Sequence, residues 1–334
     1  MFPFLAFNND AEDAMPIGRL LLTGFAIAAL GAHAQTYPTK PVRLVVGFEA
    51  GGNTDTVARV VGQKLAERLG QQVVVENKPG ASGTIGTAEA AHAAPDGYTL
   101  TMGTTTTHAI APAAYSKLAY DPSADFEPIA MVAIAPYMLV VHPSFPAKDL
   151  KEFVAVVKAQ PGKYNYGSAG QATTTHLVMA TFAAKAELDM VHIPFKGNAP
   201  ATTAVMGNQV EILFGALPPL LTQVAAGKVR ALAISSGKRS PSAPDVPTVA
   251  ESGYPGFDMA LWLGFFAPKG TPPAIIKRLE TELLQVARSP ELKSALEKQG
   301  LEANALGTLE LASLLKSDIE TYKAVFKAAK IPVQ

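Results

Sequence analysis

Three short segments of this sequence join glycine to small hydroxyl or amide side chains just ahead of a helical apolar pattern. They are Gly51-Gly52-Asn53-Thr54-Asp55, Gly103-Thr104-Thr105-Thr106-Thr107, and Gly167-Ser168-Ala169-Gly170 followed by Thr173-Thr174-Thr175. At a strand-to-helix turn such residues present free backbone N–H groups and short hydroxyls at the positive end of a helix. That is an arrangement able to cradle an anion. Ser and Thr also cap helices with no ligand involved, so each turn alone has a structural explanation, and the recurrence of all three favours a site.

Sharper catalytic or cofactor motifs fail on single residues. Gly47-x-x-x-x-Gly52-Asn53-Thr54 has Asn53 where a phosphate-binding loop needs lysine. Gly80, Gly83 and Gly86 are spaced G-x-x-G-x-x-G, which is not the dinucleotide fingerprint and reads as tight packing at a helix entry. Tyr166-Gly167-Ser168-Ala169-Gly170 imitates a nucleophile elbow, but Tyr166 stands in the first glycine's place. A serine hydrolase using Ser168 and His176 is the rival reading from another class. The six histidines include no H-x-x-x-H or H-E-x-x-H pair, so neither a metal nor any other cofactor is expected. Lys196, in Pro194-Phe195-Lys196-Gly197, is the candidate for a fixed cation near the turns.

The elements that must position these turns follow from periodicity. Val42 to Phe48, Val73 to Val75 and Tyr98 to Met102 read as buried strands, each running into a glycine turn and a helix. After prolines 122 and 128, the apolar segment Ile129 to Val141 is long enough to pass from one lobe to another. The pattern then restarts: short strands at Tyr164 to Tyr166, Met190 to Pro194, Val210 to Phe214 and Arg230 to Ile234 alternate with helices. Leu261 to Ala267 reads as the return crossing, after which the chain is expected to end in helices, the last with Leu311, Leu315, Ile319, Tyr322 and Phe326 on one face. Alternation of this kind implies an α/β protein of two lobes, each a mainly parallel sheet flanked by helices, joined by two hinge crossings. The expected limits are 35–137 plus 263–334 for lobe 1 and 138–262 for lobe 2.

Residues 1–34 look like an export leader. Arg19 precedes an uncharged apolar stretch from Leu20 to Leu30, and Ala32-His33-Ala34 supplies the small-x-small cleavage pattern, so the mature chain would begin at Gln35. Glu12 and Asp13 have the wrong sign for such a leader, which points to Met15 as the true start. The 11-residue run is too short for a membrane anchor, which needs about 20 residues. What remains is too long for one ordinary core and suits two lobes of about 150 residues each. Lys plus Arg and Asp plus Glu both number 28 in the 334 residues, so no net field exists to hold nucleic acid. The absence of cysteine excludes a disulfide framework and suits an oxidising compartment.

Several motifs together resemble the substrate-binding receptors of tripartite tricarboxylate transporters, often called Bug proteins. They are residues 47–59 (GFEAGGNTDTVAR), 73–86 (VVVENKPGASGTIG), 94–103 (APDGYTLTMG), 165–176 (NYGSAGQATTTH), 192–200 (HIPFKGNAP), 246–253 (VPTVAESG) and 266–272 (FAPKGTP), and the resemblance covers residues 37–330. It implies a type II periplasmic binding protein whose lobes close over a small organic carboxylate and deliver it to membrane permease subunits, or present it to a sensor. Such a receptor is not an enzyme, and the chain is expected to be a monomer. Carried over residue by residue, the resemblance implies ligand contacts from Phe48, Ala50, Gly51, Gly52, Asn53, Thr54, Asp55, Thr104 and Thr105 in lobe 1. In lobe 2 it implies Ser168, Ala169, Gly170, Thr173, Thr174, Lys196 and Gly197. Two positions depart from the family pattern. Gly47-Phe48-Glu49 replaces a proline-rich triplet, and Gly215 stands where many members carry an aspartate able to read an amine or hydroxyl on the ligand.

Overall fold

Val42–Val46 (β1) has the run of branched residues that a strand buried on both faces requires, and it forms parallel ladders with Val73–Asn77 (β2) and Thr99–Thr104 (β3). The computed structural model describes residues 3, 37–328 and 331–333. Met1–Thr39 and Lys40–Gln334 are separate units, and every strand and helix among the described residues belongs to the second. The expected leader, its cleavage point after Ala34 and the alternative start at Met15 lie outside the described residues. Among the described residues no helix is long and apolar enough to cross a membrane.

Helix Asn53–Leu69 (α1) buries Val57, Ala58, Val61, Leu65 and Leu69 against these strands and ends at Gly70, whose N–H donates to Ala66 O at 3.0 Å. Ala81–Gly83 is a short 3₁₀ turn leading into Thr84–Ala91 (α2). After β3 the chain enters a π-helical segment, Thr105–Ile110, continued by Ala111–Ala114 (α3).

Phe126–Val141 (β4) is a 16-residue strand and the spine of the molecule. Its first part pairs antiparallel with Ala260–Pro268 (β9), from Phe126↔Pro268 to Pro136↔Ala260. From Tyr137 to Val141 it pairs instead with Ile212–Ala216 (β7) and Arg230–Ile234 (β8). Pro128, which cannot donate to a ladder, sits at a register shift. Around this second half stand Leu150–Lys158 (α4), Asn165–Ser168 (β5), Thr174–Ala186 (α5), Val191–Pro194 (β6), Asn198–Met206 (α6) and Leu217–Ala225 (α7). The chain closes with Pro273–Ala287 (α8), Pro290–Glu297 (α9), Glu302–Leu306 (β10) and Thr308–Ala328 (α10). The strand order is β2-β1-β3-β9-β4-β7-β5-β6, with β10 and β8 also on β4.

Two parallel sets, β2-β1-β3 and β6-β5-β7, therefore carry the helix-opening turns, and antiparallel crossing strands join them. The α/β expectation holds with two differences: the sheet is mixed and not mainly parallel, because β4, β8, β9 and β10 pair antiparallel, and the chain does not end in helices alone, because β10 adds a strand to β4. Glu302-Ala-Asn-Ala-Leu306 has no β-branched or aromatic residue and is only half-buried throughout, so its strand state comes from the partner that it meets and not from its own propensity.

The two crossings are sewn together by one serine. Tyr137 N donates to Ser235 Oγ at 2.9 Å, Ser235 N donates to Tyr137 O at 2.9 Å, and Met259 N donates to Ser235 O at 2.9 Å. Ser235 Oγ in turn donates to Met259 O, and the residue is wholly buried. Just beyond it, Trp262 N donates to Thr105 Oγ1 at 2.9 Å, and Thr105 Oγ1 donates to Ala260 O at 3.2 Å. Trp262 Nε1 donates to Asp318 Oδ2 at 2.7 Å, tying β9 to α10. Burial, assisted by Asp258, raises the Asp318 pKa to about 6 in spite of that bond.

Ser235→Ala leaves the buried Tyr137 N–H without its partner and is expected to destabilise the chain by about 1–3 kcal/mol. Urea unfolding checks this through a lowered midpoint at unchanged m-value.

Candidate functional site

The first turn is shaped from behind. Asp55, 3% exposed, accepts hydrogen bonds from Gly51 N at 2.9 Å, Arg59 Nε at 3.0 Å and Asn77 Nδ2 at 2.9 Å. Asn77 Nδ2 also donates to Phe48 O at 3.0 Å, and Arg59 Nη2 donates to Asn77 Oδ1 at 3.0 Å. Burial pushes the Asp55 pKa up, but the bonds from Arg59, Gly51 and Asn77 outweigh it and hold the carboxyl below the ordinary carboxylate value. Asp55 is thus occupied as scaffold. Thr54 is buried beside it, while Ala50, Gly51, Gly52 and Asn53 are exposed. Gly51 takes φ 85°, a conformation open to glycine, and no side chain caps α1 at Gly52. Glu49 is exposed.

The glycine triplet packs the next turn against the first. A methyl group on Gly47 would lie 2.4 Å from Gly83 O, and one on Gly83 would lie 2.7 Å from Thr107 Cγ2 and 2.9 Å from the Phe48 ring. The absence of those methyl groups lets Ser82, Phe48 and the threonine segment share one wall. This agrees with the packing role expected for Gly83 and Gly86.

The threonine turn is capped internally. Thr104 Oγ1 accepts from Thr107 N at 3.2 Å, and Thr104 N donates to Thr107 Oγ1 at 3.1 Å. Thr104 and Thr105 are both buried, with Thr105 committed to β9. Thr106 is the member of the run that reaches a cavity.

The third turn is open. Thr173 Oγ1 donates back to Gly170 O at 2.7 Å, so no side chain caps α5, a 13-residue helix. Ala169 N donates to Thr175 Oγ1 at 2.9 Å, Phe195 N to Ser168 O at 3.0 Å, and Gly197 N to Ala169 O at 3.0 Å. The first bond ties the Ser168-Ala169-Gly170 bend to α5, and the other two tie it to the turn that opens α6. Lys196 within that turn is exposed.

Ser168 is wholly buried. Its Oγ donates to Gly170 O at 3.0 Å, accepts from Gly170 N at 3.1 Å and lies 2.7 Å from His192 Nε2. His176, expected to serve Ser168 in the hydrolase reading, instead accepts from Ala172 N through Nδ1 at 3.1 Å. Its ring stacks on His192 with centroids 3.8 Å apart and planes 4° from parallel, and the Tyr166 ring lies beside the pair, 5.0 Å from His192 and 6.3 Å from His176. Burial lowers both pKa values to about 4, with the neighbouring His192 adding to the effect on His176. The stack is a neutral prop beneath the third turn.

A cavity of about 210 Å³ joins the two halves. Phe48, Ser82, Thr106, Ile110, Ala111, Ala114 and Tyr115 line it from one side, and Gln171, Ala172, Thr173 and Thr174 from the other. Of the residues expected at a ligand, Phe48, Thr173 and Thr174 are in this lining. Ala50, Gly51, Gly52, Asn53, Thr54, Asp55, Thr104, Thr105, Ser168, Ala169, Gly170, Lys196 and Gly197 are not. Gly215 lies in β7, where a side chain would press on Leu213 and Leu220. The expected contact residues did not include Ser82, Thr106, Tyr115 or Gln171, although Thr106 lies in the threonine turn and Ser82 and Gln171 lie in motifs singled out in the sequence. Ser82 and Ala172 have positive φ values of 55° and 57°, a backbone state that composition does not announce. Among the described residues no cluster of His, Asp or Glu could hold a metal.

The profile of the family described as "Tripartite tricarboxylate transporter family receptor" matches residues 57–331. Protein BugT of Bordetella pertussis is 36% identical over 292 residues, which is 86% of this chain and 90% of BugT. The R. palustris protein Rpa4515, solved with adipate, is 32% identical with a TM-score of 0.73, covering 89% of this chain and 100% of that one. MatC from Rhodopseudomonas palustris, solved with bound malate, is 35% identical with a TM-score of 0.67, covering 86% of this chain and 99% of that one. The family is one of periplasmic solute-binding receptors and not of enzymes, which sets aside the hydrolase reading of Ser168. With the open helix terminus and the cavity between two α/β halves, these matches establish that the chain belongs to the tripartite tricarboxylate transporter receptor family.

Proposed function

We propose that this chain captures a small organic carboxylate in the cavity between its halves and delivers it to the membrane permease of a tripartite tricarboxylate transporter. The observation that carries this reading is the uncapped N-terminus of α5 at a cavity that hydroxyls enter from both sides. First-turn N–H groups of a helix lack intrahelical partners and favour an anion. Ser82 and Thr106 face that terminus from the opposite wall and supply neutral donors. Among the described residues the lining contains no Lys, Arg or His, so capture rests on dipoles and release needs no ion pair to be broken. The adipate and malate held by the two R. palustris relatives support the ligand class.

In this reading the lobes are 35–137 plus 263–334 and 138–262, and they close about the crossings near Tyr137 and Trp262. A ligand that touches both walls favours the closed arrangement by its differential contacts. The exported form begins at Gln35 after cleavage behind Ala34, and it acts as a monomer.

Thermal melting of Gln35–Gln334 against a panel of carboxylates tests the reading. A ligand at 100 times its dissociation constant stabilises by about 2.7 kcal/mol, and a panel with no shift would refute the ligand class. Thr174→Pro removes one first-turn N–H at a position that tolerates proline, whereas Thr174→Val keeps that N–H. Calorimetric titration is expected to give the proline variant an affinity at least tenfold below that of the valine variant, in line with the roughly 1.5–3 kcal/mol of a hydrogen bond to a charged group.

The stacked imidazoles give a pH dependence of known sign. The unfolded chain protonates them near pH 6.5, while the folded chain keeps them neutral to about pH 4. Within that window the unfolded state binds more protons, so stability falls as the pH is lowered. His108, wholly buried and lowered to about 3 by burial, acts in the same direction. The melting temperature is expected to drop between pH 6.5 and 4, and a His176→Gln, His192→Gln double variant to show a shallower drop. An unchanged slope would mean that the pair does not titrate as the geometry requires.

A further inference from the structure

Ala172 carries a backbone that its side chain does not favour. Its φ is 57°, in the left-handed region, where a Cβ crowds the following carbonyl and glycine has nothing to crowd it. Asparagine and aspartate can offset that strain with a local side-chain hydrogen bond, which an alanine methyl cannot make. The residue nonetheless stands in the cavity lining, between Gln171 and the Thr173 that opens α5. A strained conformation of this kind persists only where its surroundings impose it.

The group that meets the Ala172 N–H is an imidazole. Ala172 N donates to His176 Nδ1 at 3.1 Å. A backbone N–H can only donate, so Nδ1 is the bare nitrogen and the neutral ring carries its proton on Nε2. The Nδ1 lone pair lies in the plane of the imidazole, and that plane is held by the His192 ring, 3.8 Å away and 4° from parallel. His192 is held in turn by Ser168 Oγ, 2.7 Å from its Nε2. Burial, with His192 beside it, lowers the His176 pKa to about 4, so the acceptor persists at neutral pH.

We infer that His176 is a positioning residue for ligand capture: it sets the left-handed turn at Ala172 and, through it, the wall formed by Gln171, Ala172, Thr173 and Thr174. The inference rests on the carboxylate-receptor reading and adds to it a residue outside the cavity lining. Without the bond, Ala172 relaxes toward a right-handed or extended backbone, which reorients the peptide groups on both sides of it. Only molecules with the turn intact then bind, and the apparent affinity falls by their fraction. A glycine at this position takes the left-handed state unaided, so the need for His176 disappears with the methyl group.

Titration calorimetry of Gln35–Gln334 with propionate, benzoate, malate and adipate at neutral pH tests the inference. His176→Phe keeps a flat ring against His192 but has no acceptor. It is expected to weaken, by at least fivefold, the binding of each of these acids that the unaltered chain takes. His176→Asn brings a carbonyl oxygen near the Nδ1 position and gives up the stack, so it is expected to bind within threefold of the unaltered chain at a lower melting temperature. In an Ala172→Gly chain, His176→Phe is expected to cost less than twofold, a coupling that a residue acting through overall stability would not show. Nitrogen NMR of the imidazoles in the unaltered chain is expected to place the His176 proton on Nε2. Undiminished binding by His176→Phe, an Asn variant as weak as the Phe variant, or equal losses with alanine and glycine at 172 would overturn the inference and leave the carboxylate reading standing. A proton on His176 Nδ1 would overturn it as well, without any variant having to fold. Absence of binding by all four acids would overturn both.

Discussion

A single strand serves two sheets, and every distance across the cavity depends on that constraint. The ladder of β4 is shared with β9 up to Pro136 and with β7 and β8 from Tyr137. Proline at the changeover has no N–H to give, so the handover occurs where a ladder bond is missing in any case. Ser235 then satisfies Tyr137 on both its backbone groups and reaches Met259, so outward and return crossings share one buried residue. Thr105 repeats the device one layer nearer the cavity, binding the start of the π-helical segment to β9. The wall that carries Thr106 and Ile110 is therefore anchored directly to a crossing strand.

The same separation between support and contact runs through the site. Asp55, Asn77 and Arg59 form a hydrogen-bonded block behind the first turn. Thr104 and Thr107 cap each other. Ser168 and the neutral His192–His176 stack hold up the third turn from below. None of these residues lines the cavity. Those that do are, apart from Gln171, short or largely apolar side chains.

This division explains which parts of the protein were legible in the sequence. Strand and helix alternation, the long crossing at Ile129 to Val141, the return through β9 and the three turns all come from periodicity and glycine position, because those signals are local. The two parallel sets and their joining strands appear where the pattern put them. β10 was not legible, since Glu302-Ala-Asn-Ala-Leu306 becomes a strand only by meeting β4. Within the candidate site, residue type singled out the turns but not which of their atoms are already bonded. Asp55 and Thr106 are both plausible polar contacts by residue type. Only the three-dimensional partners of Asp55, and the lack of such partners for the α5 terminus, separate scaffold from contact. Tyr115 reaches the cavity from a position with no periodic or motif signal, and Gln171 from within a motif whose residue types did not single it out.

The packing of Gly47 against Gly83 has a consequence for how such a receptor can diversify. Where two backbones touch, neither position can accept a side chain without displacing the other, so that corner tolerates little beyond glycine. Ile110, Ala111 and Ala114 line the same side of the pocket later in the chain, and no hydrogen-bonded block depends on their side chains. Exchanges there reshape the lining while that backbone contact stays in place, so one scaffold can present differently shaped walls without disturbing how it packs.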